Sequence, residues 1–285
     1  MAALSRSNRL LMLFGAASIV AVAIGAVVCA VSDVPAGSWA RNLAAWAAGA
    51  ALACAIARFA RPGFSPIVLW LLPVGLVATL ISPDQEGVHR WIDLGPLHIN
   101  MAMLLMPGAV VAMAASAEKR LTWVAFLISL AVLVFQPDAS QATTLAVVGA
   151  MVAVFGTKPS LIRWGVPVIA AGVAVAAWLR PDPLQPVPEV EGIVGLAFSV
   201  SPLLAGLAVL SLAAVAAAPA LTRGLPGLAL GLCFLLWAVM PLFGAFPVPF
   251  VGIGMSPIIG GWLGVGLLAA WMRWNGEAGQ AKPVA

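Results

Sequence analysis

The sequence predicts an all-α protein, a polytopic integral membrane bundle of about ten transmembrane helices with both termini in the cytoplasm. Three observations predict it. Of the 285 residues 63% are hydrophobic and only 8% charged, and the mean hydropathy is +1.09, a balance that soluble domains do not keep. The apolar residues fall into runs of about 20, the length a helix needs to cross the hydrocarbon of a bilayer. The few charges sit between the runs and segregate by sign to alternate ends of them.

Taken in order, the first run, 10–31, follows Arg6 and Arg9 as a signal peptide would. It is longer than an h-region and lacks a clear small-x-small cleavage site, so it is read as the first span. The others are 38–59, 65–82, 99–116, 121–135, 139–155, 161–179, 191–217, 225–246 and 254–273. Each can satisfy its own backbone as a helix, whereas a barrel would need short alternating segments that this chain lacks. The short fifth and sixth runs flank Gln136-Pro137-Asp138 and can be read as two spans or as one broken hairpin. One membrane domain, 1–273, accounts for nearly the whole chain, followed by a short polar cytoplasmic tail, 274–285, with no internal repeat and no appended soluble catalytic domain.

An N-terminus in the cytoplasm places Arg6, Arg9, Arg58, Arg61, Lys119, Arg120, Lys158, Arg163, Arg223, Arg273 and Lys282 inside, and only Arg41, Arg90 and Arg180 outside. The acids distribute oppositely, with only Glu118 and Glu277 inside. The net charge of +4 and pI near 9.5 come from bases scattered in ones and twos, so they report topology and not a nucleic-acid surface. Cys29, Cys54 and Cys233 each lie in an apolar run with no second ligand at metal spacing, which argues against a zinc site or a disulfide framework.

Polar residues concentrate in outer segments, where any chemistry must sit. In Gly87-Val88-His89-Arg90-Trp91-Ile92-Asp93-Leu94-Gly95-Pro96-Leu97 an interfacial Trp91 and an Arg90 available to a phosphate precede a Gly-Pro turn. His89 and His98 read as solvated loop residues. In Gln136-Pro137-Asp138 the proline ends one helix, and Asp138 either caps the next or lines an outward cavity as a fixed negative charge. In Pro186-Val187-Pro188-Glu189-Val190-Glu191-Gly192 the carboxylates of Glu189 and Glu191 fall at i, i+2 of an extended segment and point to opposite sides. Pro247 to Ser256 reads as a Gly/Pro-rich loop re-entering a span, with glycines for close backbone approach.

Together and in this order these segments resemble the SEDS family (shape, elongation, division and sporulation; the FtsW/RodA type), ten-span bacterial membrane proteins that polymerise lipid-linked peptidoglycan precursor. The G-x-x-R-W-[IL]-x-[LF]-G-P pattern is matched by Gly87, Arg90, Trp91, Ile92, Leu94, Gly95 and Pro96. The family's Q-P-D is matched by Gln136, Pro137 and Asp138, and its P-F-[VI]-S-x-G-x-S by Pro249, Phe250, Val251, Gly254 and Ser256. The departures are specific. Met103 and Met106 stand where the family has an acid and a base, Ser140-Gln141 replaces Gly-Thr, Gly252 replaces a serine, and the large outer loop shrinks to about 180–192. An ungapped match sets Ile193 where the family's catalytic aspartate belongs and Ser201-Pro202 on the following acidic pair, whereas a small gap lets Glu191 stand in.

The resemblance implies a protein of cell-wall assembly in the bacterial inner membrane, serving cell shape, elongation or division. If it is an enzyme, it is a glycosyltransferase acting on an undecaprenyl-linked disaccharide, lipid II. Glu191, or Glu189 in its place, would then be the base, and Arg90 or Arg180 would face the pyrophosphate. No metal ligands and no cofactor are evident, although a divalent cation would suit a catalytic version. The alternatives are a degenerate, non-catalytic scaffold pairing with a class B penicillin-binding protein, and a flippase for the lipid-linked precursor. The flippase ranks last because no ionisable group lies in the middle of any span and no repeat is present.

Overall fold

The computed structural model describes residues 5–95 and 97–280, the last four by backbone alone. Its helices are α1 (Arg6–Val31), α2 (Ala36–Phe59), α3 (Phe64–Thr79), α4 (Met101–Ala115), α5 (Arg120–Phe135), α6 (Ala139–Gly156), α7 (Leu161–Trp178), α8 (Ile193–Val200), α9 (Pro202–Ala220), α10 (Leu225–Val239) and α11 (Met255–Gln280). Seven of the described helical segments are long and apolar enough to cross a membrane, and α3, α4 and α5 are shorter apolar helices. Gln136 and Pro137 separate α5 from α6, so these two runs are distinct helices. The last helix continues beyond Arg273 to Gln280.

Helix α11 forms the centre of the bundle, packed chiefly on α2 and α4. Its small residues make that possible. A Cβ on Gly260 would lie 2.1 Å from the Met103 carbonyl oxygen, and one on Gly266 would lie 2.8 Å from the Ala53 Cα. Backbones therefore approach at van der Waals distance, the means by which helices associate where lipid is as apolar as leucine. Phe14, Phe234, Phe250 and Trp262 cluster within the core, with ring centroids 4.9–5.9 Å apart in the Phe14 contacts.

Two features depart from the run-by-run expectation. Residues Trp91–Leu94 (β1) and Leu97–Asn100 (β2) form an antiparallel hairpin, with Trp91 opposite Asn100 and Asp93 opposite His98. Gly95 turns it at φ +61°, a conformation glycine adopts freely, and Pro96 lies outside the described residues. The fourth apolar run thus starts as strand, and α4 begins only at Met101, where the Asn100 side chain caps the Met103 amide at 2.9 Å. The eighth run is broken at Ser201, whose backbone is extended because Pro202 follows and disfavours helical geometry before it, giving α8 and α9.

Candidate functional site

The segment ends converge at one end of the bundle on a cavity of about 370 Å³. Its wall takes Arg41 and Asn42 from α2, Trp91, His98 and Asn100 from the hairpin, Met103 from α4, Glu191 from the 180–192 segment, and Ser256 from α11. A narrow extension of about 40 Å³ shares Trp91, Asn100, Met103 and Glu191 with it and reaches Arg90, Asp138 and Gln141.

Local bonding explains the position of Glu191. The amides of Val190 and Glu191 both return to the Val187 carbonyl, at 2.9 and 3.0 Å, and the Glu191 carboxylate accepts the Val187 N–H at 2.7 Å. Residues 187–191 are therefore a closed turn, which corrects the extended reading: the carboxylate completes the ring that a strand would leave open. The turn is fixed in turn by the 247–256 loop, where Val248 N–H donates to Val190 O at 3.2 Å and Ile253 N–H to Glu189 O at 2.9 Å. Glycine at 252 is a steric requirement, since a Cβ there would stand 2.5 Å from Val190 O. Buried Asn42 clamps the same loop, donating to Gly252 O at 2.9 Å and accepting from Gly254 N at 3.1 Å.

Glu191 is half-buried, and desolvation pushes its pKa above the ordinary carboxylate value. Hydrogen bonds from the Val187 and Glu191 amides and the charge of Arg90 oppose that rise, while Asp182 adds to it. Glu189 is also half-buried but does not line the cavity. Ile193, on the ungapped position of the family aspartate, is fully buried in the core at the start of α8.

Arg90 is 7% exposed and already committed to partners. Its guanidinium donates to the Pro137 carbonyl and to Asp182 Oδ2 at 2.6 Å, and its Nε stands 3.6 Å from Asp138 Oδ2. Asp138 both caps and pairs, accepting from Gln141 N at 3.2 Å and Ser140 Oγ at 3.0 Å. Gln141 then accepts from Trp237 Nε1 at 2.8 Å, so the polar Ser140-Gln141 replacement is built into a buried network. Gln136 Nε2 donates to the Leu76 carbonyl at 3.0 Å and to the Thr79 hydroxyl, which donates to the His89 carbonyl at 2.7 Å. The first two sequence motifs are thereby joined.

Elsewhere His98 is not a free loop residue: its Nδ1 lies 2.6 Å from Asp93 Oδ1 across the hairpin. Ser256 Oγ accepts the Asn100 amide at 2.9 Å, tying α11 to the start of α4, and Phe250 is fully buried at φ +64°. Arg180 stands exposed without an ion pair to any described residue. Arg41 is exposed on the cavity wall, likewise without an ion pair among described residues. By sequence Arg41 is only a topology charge, and Asp182 is only one of the acids placed outside. Neither sits in a motif, and only the fold brings them to the site. Among the described residues no three of His, Cys, Asp and Glu are grouped to hold a metal ion.

A many-helix membrane bundle whose irregular segments and buried charge network gather at one end around a polar cavity defines the class. At sequence level no family model and no curated protein matches the chain. Among solved structures it is similar to an aspartate-to-alanine mutant of the rod shape determining protein RodA of Thermus thermophilus, at 22% identity and TM-score 0.57, covering 93% of this chain and 96% of that one. It is similar to unsubstituted RodA of the same organism at 21% identity and TM-score 0.55, covering 93% and 95%. A chain from a study of the structural coordination of polymerisation and crosslinking by a peptidoglycan synthase complex matches at 22% identity and TM-score 0.62, covering 93% and 96%. The fold is the SEDS fold.

Proposed function

We propose that this chain is a SEDS-type protein of bacterial cell-wall assembly that polymerises an undecaprenyl-linked disaccharide in its outer cavity. The single observation that carries the reading is Glu191, a half-buried carboxylate of raised pKa on the wall of a cavity that also holds Arg41, a cation without an ion pair among the described residues. A carboxylate with its pKa moved toward neutrality is suited to take a sugar hydroxyl proton as that oxygen attacks the anomeric carbon of the lipid-linked donor. The carbon–oxygen bond to the lipid pyrophosphate breaks with its electrons, and Arg41 neutralises the departing charge. Arg90, held by two carboxylates, positions the hairpin and the 180–192 segment instead of meeting the pyrophosphate. Among the described residues no three of His, Cys, Asp and Glu are grouped to hold a cation, and no step is assigned to one.

The orientation proposed places both termini in the cytoplasm, with ten crossings made by α1 to α7, the broken pair α8–α9, α10 and α11. A class B penicillin-binding protein is the proposed partner, in line with the peptidoglycan synthase complex among the structural neighbours. A non-catalytic scaffold is the second reading. It is favoured by Met103 on the cavity wall and fully buried Met106, in place of a charged pair. Steady-state glycan synthesis separates the two. Glu191→Gln should lower the rate about 10²- to 10⁴-fold, and Arg41→Gln should also lower it. A scaffold shows no product for either variant to lose.

A further inference from the structure

The opposite end of the bundle carries a cavity that the polymerase reading does not use. It encloses about 880 Å³ between the start of α1, the end of α2, the α9–α10 turn and the end of α11, and Arg6, Arg58, Arg223 and Arg273 line it. A second hollow of about 430 Å³ shares Arg6, Thr222, Arg223 and Met272 with it and adds Arg9. This hollow runs on along the α1–α9 seam past Leu10, Leu13 and Leu221. None of the described residues lining either is acidic, and Arg6, Arg9, Arg58 and Arg223 make no ion pair with any described residue. Like charges gathered on one space repel unless an anion enters it. Arg223 is moreover held at φ +60°, the left-handed position after a helix where glycine is the usual residue, although Gly224 is adjacent.

The two hollows together have the polarity of a phospholipid. The arginine compartment lies at the helix ends, and it continues into an apolar seam where Leu13 and Leu221 are 41% and 67% exposed. A soluble phosphate would use only the first part. Basic pockets between spans on the cytoplasmic side suit anionic headgroups, and in the orientation proposed above this end faces the inner leaflet. We propose that the cavity is a binding site for an anionic phospholipid, its phosphate held by Arg6 and Arg223 and an acyl chain laid along the α1–α9 seam.

The test is native mass spectrometry of the delipidated protein in detergent, titrated with phosphatidylglycerol or phosphatidylcholine, with inorganic pyrophosphate as a soluble competitor. Wild type should retain phosphatidylglycerol preferentially. The double variant Arg6→Gln, Arg223→Gly should bind it roughly tenfold to thirtyfold more weakly, while Lys119→Gln, Arg120→Gln, with the same loss of charge at the same end, should bind it as wild type does. Glycine accepts φ +60°, so an unchanged melting temperature of the Arg223→Gly single variant shows that the turn is intact. Equal retention of phosphatidylcholine, unaltered binding by the double variant, or displacement by pyrophosphate at matched concentration would overturn the proposal. Glycan synthesis enters none of these readouts, so their failure leaves the outer-cavity reading standing.

Discussion

At the scale of single residues, Arg90 shows what a charge near the end of a span demands. Its side chain is nearly out of solvent, and desolvating a lone guanidinium is costly unless anions surround it, so Asp138 and Asp182 converge there from two other segments. The sequence shows Arg90 and Asp138 as separate motif members. Their partnership is invisible in it, because ion pairing across distant segments leaves no periodicity or spacing. Removing the cation leaves two carboxylates facing each other, one buried, so Arg90→Met should destabilise the protein by about 3–5 kcal/mol, measurable by thermal or denaturant unfolding in detergent. Glu191 behaves in the opposite sense. Its folded-state pKa is raised, so the folded protein holds the proton more tightly than the unfolded chain, and stability falls as pH climbs from the ordinary glutamate value through the raised one. Glu191→Gln, which can still accept the Val187 amide, should therefore melt no lower than wild type at neutral pH and lose the part of the pH dependence lying above the ordinary carboxylate range. A lower melting temperature would show that the charge itself holds the turn.

At the scale of elements, spans were legible where hydrophobicity alone decides. The tenth apolar run and α11 start within a residue of each other, and Asp138 caps α6 as its position after proline suggests. What failed to show was geometry imposed by local exceptions inside apolar sequence. Ser201-Pro202 splits one run in two, and Ile99 and Asn100, at the head of the fourth apolar run, pair instead with Ile92 and Trp91 as strand. The glycines of α11 are a further element-scale property, since their meaning depends on what faces them. Gly260→Ala would drive a methyl group against the Met103 carbonyl and should cost about 1–3 kcal/mol. Gly206→Ala, in α9 with open space around it, should be neutral or slightly stabilising by helix propensity. Thermal unfolding of the two variants side by side checks both.

At the scale of the whole molecule, the two ends of the bundle differ in kind. One end gathers the hairpin, the 187–191 turn and the 247–256 loop around a cavity holding both an acid and a base, while the other gathers arginines with no acid among the described lining residues. The charge asymmetry was readable from the sequence, but which charges share a cavity was not. Arg41 and Glu191 come from elements far apart in the chain, α2 and the segment before α8, and only the packing of α2 against α11 and its loop makes them neighbours of one space. Under the proposed function, a cavity with Met103 on its wall and Met106 buried behind it, in place of a charged pair, either works with Glu191 as its acid or does not work. The most direct measurement is formation of glycan chains from lipid-linked disaccharide-pentapeptide by the purified protein, alone and with the proposed class B penicillin-binding protein, beside Glu191→Gln. Product from the parent and at least about a hundredfold less from the variant is the expected result. Equal product from both, or none from the parent in either combination, would contradict Glu191 as the base of a working polymerase.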